Sequence, residues 1–364
     1  MQTIEERIKE IEEVLAKTPH HKATNKFIGL MRAKIAKLKN EQWLKSSGGG
    51  GGGGGFAVAK TGDASVALVG FPSVGKSTLI NKLTNAESKV GAYDFTTLDV
   101  VPGMMDYKGA KIQIFDIPGI ISGAAAGKGR GKEVISVARN ADLIVIVVDP
   151  KYKDRVEEIK KELFEAGIRL DCLPPKVSIT KTSCGGVNFS SNIPLPFDED
   201  TIKELAREFR LVNADITIKE KISLDQLIDA FMTNRVYLPS LAVLNKADLL
   251  PQKPKNINFD LLISADKNTG LDQLKELIWQ KLNFGRIYLK RPGMAADMEN
   301  PCITKLGESL SQIVSKISIG DKDKVFGLET PTGTNKSLVA TLYGPDATVP
   351  DPNHMLRVSS VGSH

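Results

Sequence analysis

Apolar residues recur at helical spacing at Ile4, Ile8, Ile11 and Leu15, and again at Phe27, Met31, Ile35 and Leu38. Each set draws one stripe along a helix. Thr18-Pro19-His20-His21 breaks the two apart, so the chain opens as a helical hairpin. Farther on the pattern changes to short unbroken apolar runs, at Ser65–Val69, Ile112–Asp116, Leu143–Asp149 and Leu241–Leu244. Runs of that kind predict strands buried on both faces, as in a mostly parallel sheet with helices packed against it. The fold class is therefore α/β.

The chemistry sits where these runs end. After Ser65–Val69 comes Gly70-Phe71-Pro72-Ser73-Val74-Gly75-Lys76-Ser77, followed by a helical pattern, Thr78–Leu83. Strand, glycine loop and helix in this order make a polyphosphate cradle of Gly70, Pro72, Ser73, Val74, Gly75, Lys76, Ser77 and Thr78. Backbone N–H groups and the positive end of the helix face the anion. Lys76 would reach the β- and γ-phosphates, and Ser77 would offer its hydroxyl to Mg²⁺. The run Ile112–Asp116 ends in D-x-x-G, placing Asp116 for the metal's water shell and Gly119 for a γ-phosphate. Leu241–Leu244 leads into Asn245-Lys246-Ala247-Asp248. A carboxylate at Asp248 accepts two hydrogen bonds from guanine N1–H and its exocyclic amine; adenine lacks that donor pair, so the carboxylate would be left unpaired. Ser264 and Ala265 fit the last loop, whose backbone amide would contact guanine O6. Each motif alone is weak. Four of them, in order and each at a strand's end, predict a guanine-nucleotide site, and intact Asn245, Lys246 and Asp248 oppose an ATPase.

Asp116 and Asn245 are 129 positions apart, about twice what two βα units at ordinary element lengths require. The excess carries its own elements: a helix over 154–166, a hairpin of Leu173–Thr180 and Gly186–Ser190 about a Gly185-Gly186 turn, a helix over 200–210, a strand over 214–219 and a Ser-capped helix over 223–232. That is a folded α+β insert. Beyond it, Arg286–Lys290 and Ala340–Gly344 read as strands with a helix at Ser309–Ser318 between them, then a loop at Asp346–Asn353 and a last strand at Met355–Val361.

Composition changes this picture in two places. The chain has 364 residues, 49 Lys and Arg, 43 Asp and Glu, and a formal charge of +6. The excess is local: residues 22–45 hold seven basic side chains and one acid, Glu41. This is either the solvated face of a hairpin or an RNA-phosphate contact. Eight consecutive glycines, 48–55, follow; they form either a free hinge or a backbone-only surface that lies close to something else. Cys172, Cys184 and Cys302 lie far apart, so neither a disulfide framework nor a zinc site is indicated. No run is long enough for a membrane span, and no signal peptide is expected at the charged amino terminus.

The segments Gly70–Thr78, Asp94-Phe-Thr-Thr-Leu98, Gly123-Ala-Ala-Ala-Gly-Lys-Gly-Arg-Gly-Lys132 and the glycine run into Phe56-Ala-Val together resemble the developmentally regulated GTP-binding proteins, a branch of the Obg-like P-loop GTPases. The likeness is most specific from the first helix to about residue 290. It implies a helix-turn-helix-like hairpin over 1–47, a Gly-rich linker over 48–64 and a GTPase domain over 65–151 and 239–285. It also implies an insert over 152–238 with the fold of a ribosomal protein's second domain. Residues 286–364 would be a TGS domain, a β-grasp module shared with threonyl-tRNA synthetases. The implied protein is a cytoplasmic, translation-associated monomer with no membrane contact. It would hydrolyse GTP with Mg²⁺ and bind the ribosome or its RNA and a zinc-finger-containing partner.

Catalysis is expected to rest on Lys76, Thr97 and Gly119, with Ser77, Thr97 and Asp116 serving the metal and Thr96 as the alternative to Thr97. Many small GTPases orient the attacking water with a Gln just after the D-x-x-G glycine. Here Ile120 stands there, so slow intrinsic turnover is expected. In related GTPases a loop Asn ligates K⁺ in place of an arginine finger; Ser73 occupies that position with one short oxygen, which leaves potassium open. Lys128 and Arg130 offer another cation or a solvated basic loop. Loops 91–98 and 119–132 would order with GTP and relax after hydrolysis. The alternative is a ribosome- or RNA-binding scaffold whose nucleotide is mainly structural.

Overall fold

The computed structural model describes residues 2–19, 24–46, 61–84, 102–117, 138–232, 234–250, 259–290, 297–308, 324–329 and 337–343. The glycine run, Asp94–Leu98 with Thr96 and Thr97, Gly119, Ile120, Gly123–Lys132 with Lys128 and Arg130, Ser309–Ser318, Asp346–Asn353 and Met355–Val361 lie outside them. The chain divides into two compact units. One draws on residues 1–57, 120–139 and 160–238, the other on 58–119, 140–159 and 239–364.

The second unit is built on a six-stranded sheet of β1 (Ala64–Val69), β2 (Pro102–Tyr107), β3 (Ala110–Ile117), β4 (Leu143–Val148), β10 (Ser240–Leu244) and β11 (Leu261–Leu262), in the order β11-β10-β4-β1-β3-β2. Every pairing is parallel except β2 with β3. β1 and β4 are buried along their whole length, which is why they read as continuous apolar runs rather than alternating ones. Strand order reverses at β1, between β3 and β4, and in an open α/β sheet ligands bind outside the carboxyl ends of the strands at such a point. Helix α3 (Lys76–Leu83) leaves β1 through the glycine loop. Carboxy-terminal to helix α7 (Leu271–Lys281), a four-stranded mixed sheet joins β12 (Phe284–Lys290), β13 (Cys302–Lys305), β14 (Lys324–Glu329) and β15 (Ser337–Tyr343), ordered β13-β12-β15-β14.

The first unit packs the amino-terminal hairpin together with the insert. Helix α1 (Ile4–Lys17) starts on a Thr3–Glu6 capping box, and α2 (Asn25–Ser46) runs back against it. On its other side α2 meets α5 (Glu199–Glu208) and α6 (Leu224–Phe231). Ala33 is fully buried in one core with Ile202, Leu205, Ile216 and Leu227. Contact on two sides explains a difference from the single stripe expected: Ile28, Ala33 and Leu38 are buried, while Phe27 is 40% exposed. Entry to the insert is through α4 (Val156–Glu165), and the short strands β5 (Ile168–Leu170) and β9 (Val236–Leu238) pair in parallel where the insert starts and ends.

The hairpin expected over 173–190 does not form. Strands β6 (Val177–Lys181) and β7 (Val187–Ser191) both pair with β8 (Ala214–Ile218), which lies between them, antiparallel to β6 and parallel to β7. The burial of β8 gives the reason. Ala214, Ile216 and Ile218 are at most 1% exposed, so the strand with the most apolar inner face takes the centre, and β6 and β7 keep an outer face of Ser, Thr and Asn.

Candidate nucleotide site

Two glycines of the phosphate loop are required by space. A Cβ on Gly70 would stand 2.0 Å from the Val147 carbonyl oxygen, and one on Gly75, at φ +93°, would stand 2.5 Å from Asn245 Nδ2. The loop can thus follow β1 closely while turning left-handed into α3. Lys76, the first residue of α3, is buried. Its Nζ donates to the carbonyls of Gly70 and Phe71, both at 3.2 Å, and lies 3.7 Å from Asp116 Oδ1. Burial lowers its pKa, and the nearby Asp116 carboxylate works in the opposite direction. This is a cation held by neutral dipoles, with its nearest counter-charge beyond hydrogen-bond reach.

Ser77 Oγ donates to Asp116 Oδ2 at 3.0 Å, while Asp116 Oδ1 is buried without a hydrogen-bond partner. A hydroxyl and a carboxylate at this distance, with one orphaned oxygen, suit a hard cation that takes oxygen ligands and keeps part of its water shell. The residues present therefore fit Mg²⁺. Among the described residues no cluster of three or more His, Cys, Asp or Glu forms a metal site.

The base side is assembled around Asn245, which is 1% exposed. Its Nδ2 donates to the Val74 carbonyl at 2.9 Å, and its Oδ1 accepts from the Ala265 N–H at 3.0 Å. One side chain thus ties the phosphate loop to the last loop. Lys246, at φ 57°, donates from Nζ to the Ser73 carbonyl at 2.7 Å and to Asp149 at 3.1 Å. Asp248 is exposed, and a hydrogen bond from Ser264 holds its pKa down. Ser264 and Ala265 are buried beside it. Pro72 and Ser73 are exposed, and Thr78 lies half-buried on α3. The structure therefore brings together every phosphate-loop and base residue expected from sequence. Thr97 and Gly119 lie outside the described residues.

The sequence reading missed a brace at the end of β4. Asp149 is 7% exposed and anchors Lys246. Phe71 stacks on Tyr152 with ring centroids 4.3 Å apart, and the Arg155 guanidinium lies 4.6 Å from the Phe71 ring centre. Its one available signal was a carboxylate closing an all-aliphatic strand at the edge where the motifs gather.

Comparison with known proteins agrees with this geometry. Residues 65–179 match the family described as 50S ribosome-binding GTPase, and residues 184–284 match the C-terminal region of that domain. An uncharacterized GTP-binding protein of Methanocaldococcus jannaschii is 52% identical over 86% of this chain and 82% of its own. Developmentally-regulated GTP-binding protein 1 of Xenopus laevis is 46% identical over 82% and 83%, and developmentally-regulated G-protein 3 of Arabidopsis thaliana 45% over 83% and 84%. This chain belongs to the developmentally regulated GTP-binding protein family. As a member it is a P-loop GTPase, which binds GTP and hydrolyses it. Among the described residues no helix is long and apolar enough to cross a membrane.

Proposed function

We propose that this GTPase is a translation-associated switch whose nucleotide state controls a contact with the ribosome. The observation that carries the reading is the Lys76, Ser77 and Asp116 constellation, with a buried cation and an orphaned carboxylate oxygen poised for a metal-bound triphosphate; a scaffold with a structural nucleotide has no need of it. Bound Mg²⁺ would neutralise charge across the β- and γ-phosphates, held through Ser77, Thr97 and Asp116. Lys76 exchanges its two carbonyl acceptors for phosphate oxygens. Asn245, Lys246, Asp248, Ser264 and Ala265 select guanine. Thr97 and Gly119 sense the γ-phosphate, and loops 91–98 and 119–132 change order when it leaves.

Ile120 can neither donate nor accept, so intrinsic turnover is slow and the water is oriented by backbone or by a partner. Potassium at Ser73 is one further stimulus. Support for the ribosomal partner comes from the description of the matching family. We further assign residues 286–364 to a TGS-like module, a reading supported by the mixed sheet of β12–β15. The partner protein is one carrying a zinc finger, and the site of action is the cytoplasm. Single-turnover GTP hydrolysis in potassium and in sodium, with and without purified ribosomes, tests this proposal. Ribosomes are expected to raise the rate. Tight GTP binding with no stimulation under any condition would overturn the switch and favour the scaffold.

A further inference from the structure

The basic residues of the hairpin and of the insert helix packed against it fall into two sets. Lys26 pairs with Glu204 at 2.7 Å, Arg32 with Asp225 at 2.9 Å, Lys37 with Glu208 at 3.2 Å, and Lys39 with Glu12 and Glu165 at 3.6 and 3.8 Å. Lys37 also donates to the Glu208 carbonyl at 2.9 Å, closing the carboxy-terminal end of α5. These four cations face carboxylates already, so the RNA-phosphate reading of the whole hairpin face does not hold for them.

A second set makes no ion pair among the described residues: Arg7 on α1, Lys34 on α2, and Arg207 and Arg210 at the end of α5. Arg7, Arg207 and Arg210 are exposed. They border two depressions of about 360 and 320 Å³ that share Lys34, Lys37 and Glu208. Glu204 and Glu208 line the same depression as Arg207 and Arg210, and each already has a lysine; Glu41 borders the depression beside Arg7. Positive charge is therefore in excess on this face, drawn from three helices of two distant sequence segments. Three of the four groups are guanidiniums, whose forked donors match phosphate oxygens in pairs.

We infer that Arg7, Lys34, Arg207 and Arg210 form one surface for the phosphate backbone of RNA. The inference rests on the ribosomal reading above and deepens it by naming the surface. An A-form RNA helix keeps its base edges in a deep, narrow major groove that these side chains do not enter, so binding is to phosphates, sequence-tolerant and steeply salt-dependent.

The test uses the full chain loaded with a non-hydrolysable GTP analogue and a fluorescein-labelled RNA hairpin of about 20 base pairs. Anisotropy is followed between 50 and 200 mM KCl. The quadruple variant R7Q/K34Q/R207Q/R210Q is expected to bind at least tenfold more weakly at 100 mM, with the salt slope reduced by about 3. Arg207→Gln alone, which disturbs no ion pair, should lower affinity several-fold with an unchanged thermal midpoint. Unaltered binding by the quadruple variant, no RNA binding by the parent chain, or equal binding of a polyglutamate peptide would each overturn the inference. Co-sedimentation with ribosomes, run in parallel, reports separately on the switch: ribosome binding that survives in the quadruple variant refutes this surface and leaves the switch standing.

Discussion

Lysines mark both halves of the molecule, and the fold treats them in opposite ways. In the nucleotide site Lys76 is buried with two carbonyls for company and its carboxylate 3.7 Å away. In the hairpin and insert, Lys26, Arg32, Lys37 and Lys39 each meet a carboxylate. Burying a charge whose hydrogen bonds all go to partial dipoles costs stability that one carboxylate at 3.7 Å returns only in part, and that cost is tolerated where an anion is to arrive. A paired cation is already neutralised and attracts little. A positive stretch of sequence therefore identifies an anion site only where packing leaves the charge uncompensated.

The deepest pairing gives the sharpest way to break this contrast. Asp229 receives Arg169 at 2.6 and 2.7 Å and Arg235 at 2.8 Å, and the Asp229 and Arg169 side chains are at most 9% exposed. Asp229→Ala removes the one carboxylate that two largely buried guanidiniums share and leaves both without it. It should destabilise the first unit by about 3–5 kcal/mol in urea unfolding, with GTP affinity little changed at temperatures where the chain remains folded. A loss below 1 kcal/mol would show that the pairing is incidental.

Lys76→Ala should do the reverse. Loss of charge-assisted contacts to phosphate should weaken GTP binding about a hundredfold or more, read with a fluorescent analogue. The nucleotide-free protein should unfold no earlier than the parent, because a buried charge has gone. Among the paired hairpin cations, Lys37→Met should cost about 1–1.5 kcal/mol, since that side chain also bonds a helix-end carbonyl. Lys26→Gln, at an exposed and solvent-screened pair, should cost less than Lys37→Met. Neither should alter GTP affinity.

The smallest effect concerns Glu276, which accepts from Lys108 at 2.6 Å and Tyr107 at 2.7 Å. Those two hydrogen bonds, Lys108 foremost, hold its pKa down at about 2 against an ordinary 4.5. A depressed carboxylate stabilises fully above its unfolded pKa and loses that contribution as pH falls from 4.5 toward 2. Solvent screening at this side chain limits the effect to about 1 kcal/mol or less. Glu276→Gln should flatten the acid limb of a stability profile over that window; an unchanged limb would remove the bond's role.

The nucleotide site was legible because each recognition loop is contiguous and follows an apolar strand. Gly70–Ser77, Asp116 and Asn245–Asp248 could be read without knowing what packs beside them. Asp149 could not: one carboxylate has no spacing to recognise, and its role depends on Lys246 arriving from another strand. The order of β6, β8 and β7 was hidden for a related reason, since neighbours in sequence were taken as neighbours in space. β2 carries Pro102 and Gly103 and lies at the sheet's antiparallel edge, where propensity says little. The two-sided burial of α2 scatters its apolar positions around the helix, and the partners of Lys26 and Lys37 lie more than a hundred residues downstream.

That separation has a consequence for synthesis. Helix α2 ends at Ser46, while the helices that bury Ala33 and take up Lys26, Arg32 and Lys37 close only at Phe231. At 5–20 residues per second the hairpin waits roughly 10–40 s for its partners. Throughout that interval a basic, half-apolar pair of helices stands free at the exit of the very particle that made it, wrapped in RNA phosphate.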